Sequence, residues 1–184
     1  MKLNNLKTRL RRVITALDSE GRSFASIDGP PGEILEWRED EGLYEIWTDP
    51  GQALARRDRA DLSAGPVQLS PPFGGMKVRW FSVAPSRAGD ESDEDLASGA
   101  ASAFAQIGAA QDQPDTSRHP AMHLTSTIDV IVVVSGRVRL LLDADERVLG
   151  PGDVVLQRGT NHAWVCEGDE PAVMVAVLSD RVLA

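Results

Sequence analysis

Short runs of apolar residues, separated by turns rich in glycine, proline and aspartate, dominate this chain. The alternating run from Met76 predicts a strand that places Met76, Val78 and Trp80 on one face and Lys77 and Arg79 on the other. Further strands are predicted over 12–17, 23–27, 43–48, 137–142, 154–156, 163–165 and 173–178. Many short strands with little helix indicate an all-β sandwich or barrel.

One run has no alternation. Residues 130–134 are five consecutive β-branched apolar residues, Val-Ile-Val-Val-Val. Such a run is typical of a strand that is covered on both faces, so we expect both faces to be buried. Ser135 and Gly136 predict the turn that follows it.

A less regular segment, 86–118, interrupts the strands. Its alanine-rich part, 96–110, predicts a helix, although Gly99 and Gly108 weaken the helical pattern. The acidic stretch 90–95 is expected to be a solvated loop. An insertion of this length in a β domain usually acts as a lid or a subunit contact, and we expect it near the mouth of the barrel.

Composition excludes several classes of function. The chain has 184 residues and a formal net charge of −9, which disfavours nucleic acid or an anionic membrane as a partner. The single cysteine, Cys166, excludes an internal disulfide and fits a reducing compartment. Residues 1–7 are polar, unlike a signal peptide, and no apolar run approaches a membrane span. A cytoplasmic protein is therefore expected. No nucleotide cofactor is predicted for it.

Two sets of polar residues share strand parity. They are His123, Thr125, Thr127 and Asp129 in the first set, and His162, Trp164 and Cys166 in the second. Residues two apart on a strand project from the same face. If the two strands are neighbours in a curved barrel, His123, Asp129 and His162 come within reach of one divalent ion.

The spacing of these residues resembles that of the cupins, which are small jelly-roll barrels. The first cupin motif is His-x-His, three or four residues, Glu, six residues, Gly, and here it is matched by His123-Leu124-Thr125, Asp129 and Gly136. The second is matched by Pro151-Gly152-Asp153 and Gly159-Thr160-Asn161-His162. The resemblance extends over 119–177. It is closer still to a bacterial cupin subgroup with the patterns Met-His-x-Thr-x-Thr-x-Asp and Gln-Arg-Gly-Thr-Asn-His-x-Trp.

Three departures from the cupin pattern bear on chemistry. Thr125 stands where cupins usually have a second histidine, Asp129 replaces the glutamate, and Gln157 replaces a proline. The remaining 2-His-1-carboxylate set suits Fe(II) and also Zn, Mn or Ni. A threonine hydroxyl is a poor ligand, so metal affinity should fall below that of a three-histidine site.

Each site residue also has a simpler interpretation. His123 could hydrogen-bond Asp129 in a polar interior, and His162 could cap a loop. His119 would then lie at the pocket mouth, and Cys166 would be a small buried hydrophobe. Asp129 must have a partner if it is buried, because an unpaired buried carboxylate is costly.

The resemblance implies a double-stranded β-helix (residues 76–184, with the insertion 86–118) on which N-terminal strands (1–75) pack as part of one domain. It implies either an enzyme or a binding module for a small oxygen-rich organic molecule. The enzyme would be a metal-dependent lyase, dehydratase, decarboxylase, isomerase or oxygenase. The pocket would be shaped by Thr125, Thr127, Gln157, Trp164 and Cys166. The alternative is a non-catalytic metabolite-binding cupin with a degenerate metal site, and a third reading is a purely structural barrel. The open edges of the N-terminal hairpins, together with the resemblance, favour a homodimer.

Overall fold

Eleven β-strands are the main regular elements of residues 6–85 and 92–181, the parts of the chain that the computed structural model describes. The strands are β1 (Arg12–Leu17), β2 (Ser23–Gly29), β3 (Ile34–Arg38), β4 (Glu41–Asp49), β5 (Met76–Val83), β6 (Thr127–Ser135), β7 (Val138–Leu142), β8 (Glu146–Leu149), β9 (Val154–Arg158), β10 (His162–Cys166) and β11 (Ala172–Asp180). One α-helix, α1, spans Asp93–Gln106, and Leu6–Thr8 and Ala110–Asp112 form short 3-10 helices. The predicted all-β fold is confirmed.

The strands form two facing sheets and a separate hairpin. The large sheet has the order β3-β4-β5-β11-β6-β9, and the small sheet has the order β10-β7-β8. Both contribute to one core, in which residues of β6 and β11 pack against Val138, Leu140 and Trp164 of the small sheet. The last strand, β11, lies between β5 and β6. This non-sequential order fits the predicted jelly roll, while β1 and β2, within the part of the chain that the structure describes, pair only with each other.

β3 and β4 precede residue 76 and nevertheless belong to the large sheet, because β4 pairs with β5 along most of its length. The division of the chain at residue 75 stays a prediction. β3 was not expected, since its sequence Ile-Leu-Glu-Trp-Arg has no regular alternation. Among the described residues, no helix is long and apolar enough to cross a lipid bilayer.

The two faces of β5 are as predicted, but the charged face is the one that points inward. Lys77 and Arg79 are buried, whereas Val78 and Trp80 are only partly buried. Arg79 lies opposite Glu45 of β4 in the register of the sheet and forms an ion pair with it. Pairing with a carboxylate reduces the free-energy cost of burying a guanidinium, which permits this orientation.

The expectation that both faces of residues 130–134 are covered is wrong. Ile131 and Val133 point into the core, while Val130 and Val134 point outward, and Val134 is 50% exposed. The neighbouring strand β9 adds Val154 and Leu156 to the same outer surface, opposite Val132 and Val130. The outer surface of β6 and β9 is therefore apolar and exposed, because only the inner face of the large sheet packs on the small sheet.

The helix begins earlier than predicted. The stretch 90–95 was expected to be a loop, yet α1 starts at Asp93. Ser92 accepts a hydrogen bond from the Asp95 amide, and the Asp95 carboxylate accepts one from the Ser92 amide. This capping box and the acidic first turn favour a helix N-terminus here. At the other end Gly108 has φ +68°, a left-handed conformation just after the helix ends. Residues 86–91 of the predicted insertion lie outside the described residues.

Candidate functional site

A cavity of about 380 Å³ lies between the two sheets and beneath α1. Its wall is largely apolar and includes Leu43, Phe81, Phe104, Ile107, Ile131 and Trp164. Its polar lining groups include Arg79, His119, His123, Asp129 and His162. The three histidines of the chain thus all lie at this cavity. The volume is in the range of small-molecule binding sites.

Two imidazoles lie side by side in this cavity. The backbones of His123 and His162 form a reciprocal pair of hydrogen bonds, and their ring centroids are 4.2 Å apart. The Nδ1 atom of His123 donates to the Ala121 carbonyl at 3.0 Å, and that of His162 donates to the Thr160 carbonyl at 2.9 Å. These bonds assign the proton of each ring to Nδ1 and leave the Nε2 lone pair available.

Burial keeps both imidazoles neutral. Desolvation lowers the pKa of His123, and it lowers that of His162 to about 3, with a further contribution from His123. Aromatic neighbours enclose the pair, since Phe104 of α1 lies 4.9 Å from His123 and Trp164 lies 5.8 Å from His162, centroid to centroid. Phe81 continues this series of ring contacts from Trp164. The two Nε2 lone pairs thus lie in buried, largely apolar surroundings.

Asp129 lies at the same cavity as the imidazoles. It is 4% exposed, and its Oδ1 has no hydrogen-bond partner among the described residues. Burial raises the pKa of the carboxyl to about 6, although a hydrogen bond from Thr127 and the positive charge of Arg79 act in the opposite direction. The alternative in which His123 donates to Asp129 is not observed, because His123 Nδ1 donates to Ala121.

The residues at this site fit a metal ion only in part. Neutral imidazoles whose Nδ1 protons are held by carbonyl groups are typical metal ligands. Within residues 6–85 and 92–181, however, no three His, Cys, Asp or Glu side chains are grouped closely enough to hold one ion. Thr125, at the position of the missing histidine, is buried, and its Oγ1 lies 2.7 Å from Thr127 Oγ1 in a hydrogen bond. The structure therefore brings His123 and His162 together, and Asp129 as their third ligand stays a prediction.

The residues expected to shape the pocket fall into two groups. Trp164 and Cys166 line the cavity, and the Cys166 Sγ donates to the Glu170 carbonyl at 3.1 Å. Thr125, Thr127 and Gln157 are buried but are not among the lining residues. Gln157 Nε2 instead donates to the carbonyl and the hydroxyl of Thr160, so it anchors the loop that leads into His162.

Two lining residues were not recognised as functional from the sequence. Arg79 was assigned only to the face of β5 opposite the apolar one, and Phe104 only to a helix of the insertion. A basic side chain on an alternating strand normally points to solvent, so the pattern by itself favours the wrong location. The residue in the sequence that could have indicated a buried Arg79 is Glu45, in the neighbouring predicted strand 43–48, because a carboxylate can pair with a buried cation.

Part of the chain is similar to known cupin proteins. Residues 110–178 match the Cupin_2 family model, a cupin domain. The match contains both histidines of the pair and Asp129. A cupin 2 conserved barrel domain protein from Salinispora arenicola CNS-205 is similar in structure, with a TM-score of 0.40, 17% identity, and 79% of this chain and 81% of the other covered.

Curated relatives match over short segments. Phomopsin biosynthesis cluster protein C' from Diaporthe leptostromiformis is 54% identical over 44 residues, which are 23% of this chain and 23% of the relative. The cupin-domain-containing oxidoreductase fogC from Aspergillus ruber is 36% identical over 63 residues, 32% of this chain and 31% of the relative. The matched segments thus span less than a third of these relatives' lengths.

Proposed function

We propose that this chain is a cupin-type enzyme that acts on a small oxygen-rich organic molecule bound in the central cavity, where His123 and His162 hold a divalent metal. The observation that carries the proposal is the imidazole pair, since both rings are neutral and both Nδ1 protons are donated to carbonyl groups. Iron, zinc, manganese and nickel are the candidate ions. A bound ion would serve as a Lewis acid toward a carbonyl or hydroxyl group of the substrate.

The chain's own residues supply proton transfer and apolar surroundings. A carboxyl group with a pKa of about 6 exchanges its proton near neutral pH, which suits Asp129 to general acid or base catalysis at Oδ1. The aromatic side chains of Phe81, Phe104 and Trp164 line the cavity and surround the reacting groups with apolar surface. Asp129 as a third metal ligand stays a prediction from the sequence.

The names of the fungal relatives support redox chemistry among the possible reactions. Two of them are described as cupin-domain-containing oxidoreductases, from Aspergillus ruber and Neurospora crassa. Within the reactions that the sequence leaves open, we therefore place oxygenase or oxidoreductase activity ahead of a lyase, dehydratase, decarboxylase or isomerase.

Metal content tests the proposal. Protein purified without a histidine tag is analysed for bound metal by mass spectrometry, as wild type and as His123→Ala, His162→Ala and His119→Ala. His119 is the matched control, because it lies at the same cavity outside the pair. We expect near-stoichiometric metal in wild type and in His119→Ala, and loss in the other two. Metal-free wild-type protein, or equal retention in all four, would contradict the proposal.

A second candidate is a metabolite-binding cupin that does not turn its ligand over. It is favoured by Thr125, whose hydroxyl is already bonded to Thr127 instead of facing the cavity. The same purification distinguishes it: metal-free protein that copurifies with a small organic molecule, detected by mass spectrometry of the denatured extract, would favour this function.

We also propose a homodimer in the cytoplasm. The exposed apolar surface of β6 and β9 supports a second copy of the chain as its partner, because isolated monomers rarely expose contiguous apolar patches of this kind. β9 is also an edge strand of the large sheet. This surface is an alternative to the N-terminal hairpin that the sequence favours as the interface.

A further inference from the structure

We infer that the cavity binds an organic acid, whose carboxylate is held by Arg79 and whose neighbouring hydroxyl group donates to Asp129. This inference rests on the proposed function and names the class of substrate that the cavity binds. It rests on two buried polar groups with incomplete hydrogen bonding and does not require the metal.

Arg79 is the first of these groups. The side chain is 1% exposed, and its Nη2 contacts the Gln68 carbonyl at 2.5 Å and Glu45 Oε1 at 3.0 Å. Its Nε has no hydrogen-bond partner among the described residues. A guanidinium has five N–H donors, and leaving buried donors unsatisfied is costly. A hydrogen-bond acceptor on a bound ligand would satisfy the Arg79 donors that the protein itself leaves unpaired.

The sheet register places Arg79 and Asp129 at the same part of the cavity wall. Arg79 lies opposite Ala176 of β11, which in turn lies opposite Ile131 of β6. Asp129 lies in the adjacent row of β6, opposite Leu178. The strand between β5 and β6 is β11, and the side chain of its Ala176 is only a methyl group. Space therefore remains above Ala176, beside Arg79. The charge of Arg79 acts on the Asp129 carboxyl across this space.

The unpaired part of the Arg79 guanidinium suits an anion. Its ion pair with Glu45 uses Nη2, and its buried Nε has no hydrogen-bond partner among the described residues. A ligand carboxylate bound at Arg79 would be desolvated, which strengthens a charge-assisted hydrogen bond.

The other residues that line the cavity indicate which further groups the ligand contains. Asp129 Oδ1 is an unpartnered acceptor, so it complements a donor such as a hydroxyl group. Phe81, Ile131 and Trp164 line the same cavity and complement an apolar or aromatic body. A 2-hydroxy acid with an apolar substituent meets all three requirements within a volume of about 380 Å³.

Mandelate, mandelamide and phenylacetate are matched probes. Mandelamide lacks the carboxylate and phenylacetate lacks the hydroxyl group. Binding to EDTA-treated wild-type protein is measured by calorimetry at pH 7. We expect mandelate to bind about 10-fold or more tightly than mandelamide, as one charge-assisted hydrogen bond predicts, and more tightly than phenylacetate. Equal binding of mandelate and mandelamide, or no binding of any probe at millimolar concentration, would overturn the inference.

Variants assign the preference to Arg79. The double substitution Arg79→Met with Glu45→Gln removes both partners of the ion pair, so that no buried charge is left alone. It should abolish the preference for mandelate over mandelamide, whereas Arg158→Met, an exposed arginine of β9, should keep it. A preference that survives the double substitution contradicts the role of Arg79. His123→Ala separates the two proposals: if it retains the preference in metal-free protein, the anion site stands whether or not metal is bound.

Discussion

Asp129→Asn is expected to stabilise the folded protein at neutral and alkaline pH. The substitution keeps the size of the side chain and removes a negative charge that is buried with an unpartnered Oδ1. Such a gain is unusual, since most substitutions of buried residues destabilise a protein. It would identify Asp129 as a residue retained for function at the expense of stability.

The size of the gain follows from the pKa of Asp129. Burial raises it from 3.8 to about 6, so the unfolded chain releases this proton at a lower pH than the folded protein does. Well below pH 3.8, Asp129 is protonated in both the folded and the unfolded protein, so its ionisation does not lower the free energy of unfolding. As pH rises the cost grows, to about 1 kcal/mol at pH 4.5 and about 3 kcal/mol above pH 6. Asp129→Asn should remove this cost at each pH.

Urea denaturation of EDTA-treated wild type and Asp129→Asn at pH 4.5 and pH 8 measures the difference directly. Comparing the two proteins at the same pH cancels the titration of all other groups, including the histidines. Asp58→Asn is the control, because this carboxylate is exposed; its effect should be within about 0.5 kcal/mol at both pH values.

Two results would refute the reasoning. A gain that is the same at pH 4.5 and pH 8 would show that it does not come from ionisation of Asp129. A loss of stability at pH 8 would show that the ionised carboxylate has a favourable partner in the folded protein, as it would if it remained bound to a cation.

Three further predictions concern other parts of the structure. Folding lowers the pKa of His162 from 6.5 to about 3, so on acidification the unfolded chain takes up this proton before the folded protein does. Wild type should therefore lose about 2 kcal/mol of stability from this residue between pH 7 and pH 5. Thermal denaturation of His162→Gln should lack that part of the acid dependence. Gly136→Ala should cost about 1–3 kcal/mol in urea denaturation, since Gly136 has φ +73° and an added Cβ would lie 2.6 Å from the Pro171 carbonyl oxygen; an unchanged midpoint would contradict this. Leu156→Glu should give monomers in sedimentation velocity while Val13→Glu, an exposed position of the N-terminal hairpin, should not; the reverse result would place the interface at that hairpin.

Local sequence was sufficient for most of the strands and for the pairing of the two histidines. Alternation located β5, and glycine and aspartate turns located the hairpin of β6 and β7, because these signals depend on neighbours along the chain. The parity and motif spacing of His123 and His162 led to the expectation that they meet, and the structure brings them together.

Properties that depend on distant residues were not predictable in this way. Residues 130–134 have the composition of a strand buried on both sides, yet whether anything packs on the outer face depends on elements far along the chain. Similarly, Arg79 points inward because Glu45 lies opposite it across the sheet, and the register between β4 and β5 is not visible in either strand alone.

By itself, the sequence determined an all-β barrel, its turns and a common location for His123 and His162, since side-chain parity and motif spacing are properties of the local chain. Only the tertiary structure decided that Arg79 belongs to the cavity, that Phe104 of α1 lies against His123, and that Asp129 Oδ1 is buried without a hydrogen-bond partner among the described residues. The physical reason is that binding chemistry depends on which polar groups remain unsatisfied after the sheets have paired, and that is known only when every partner has been placed.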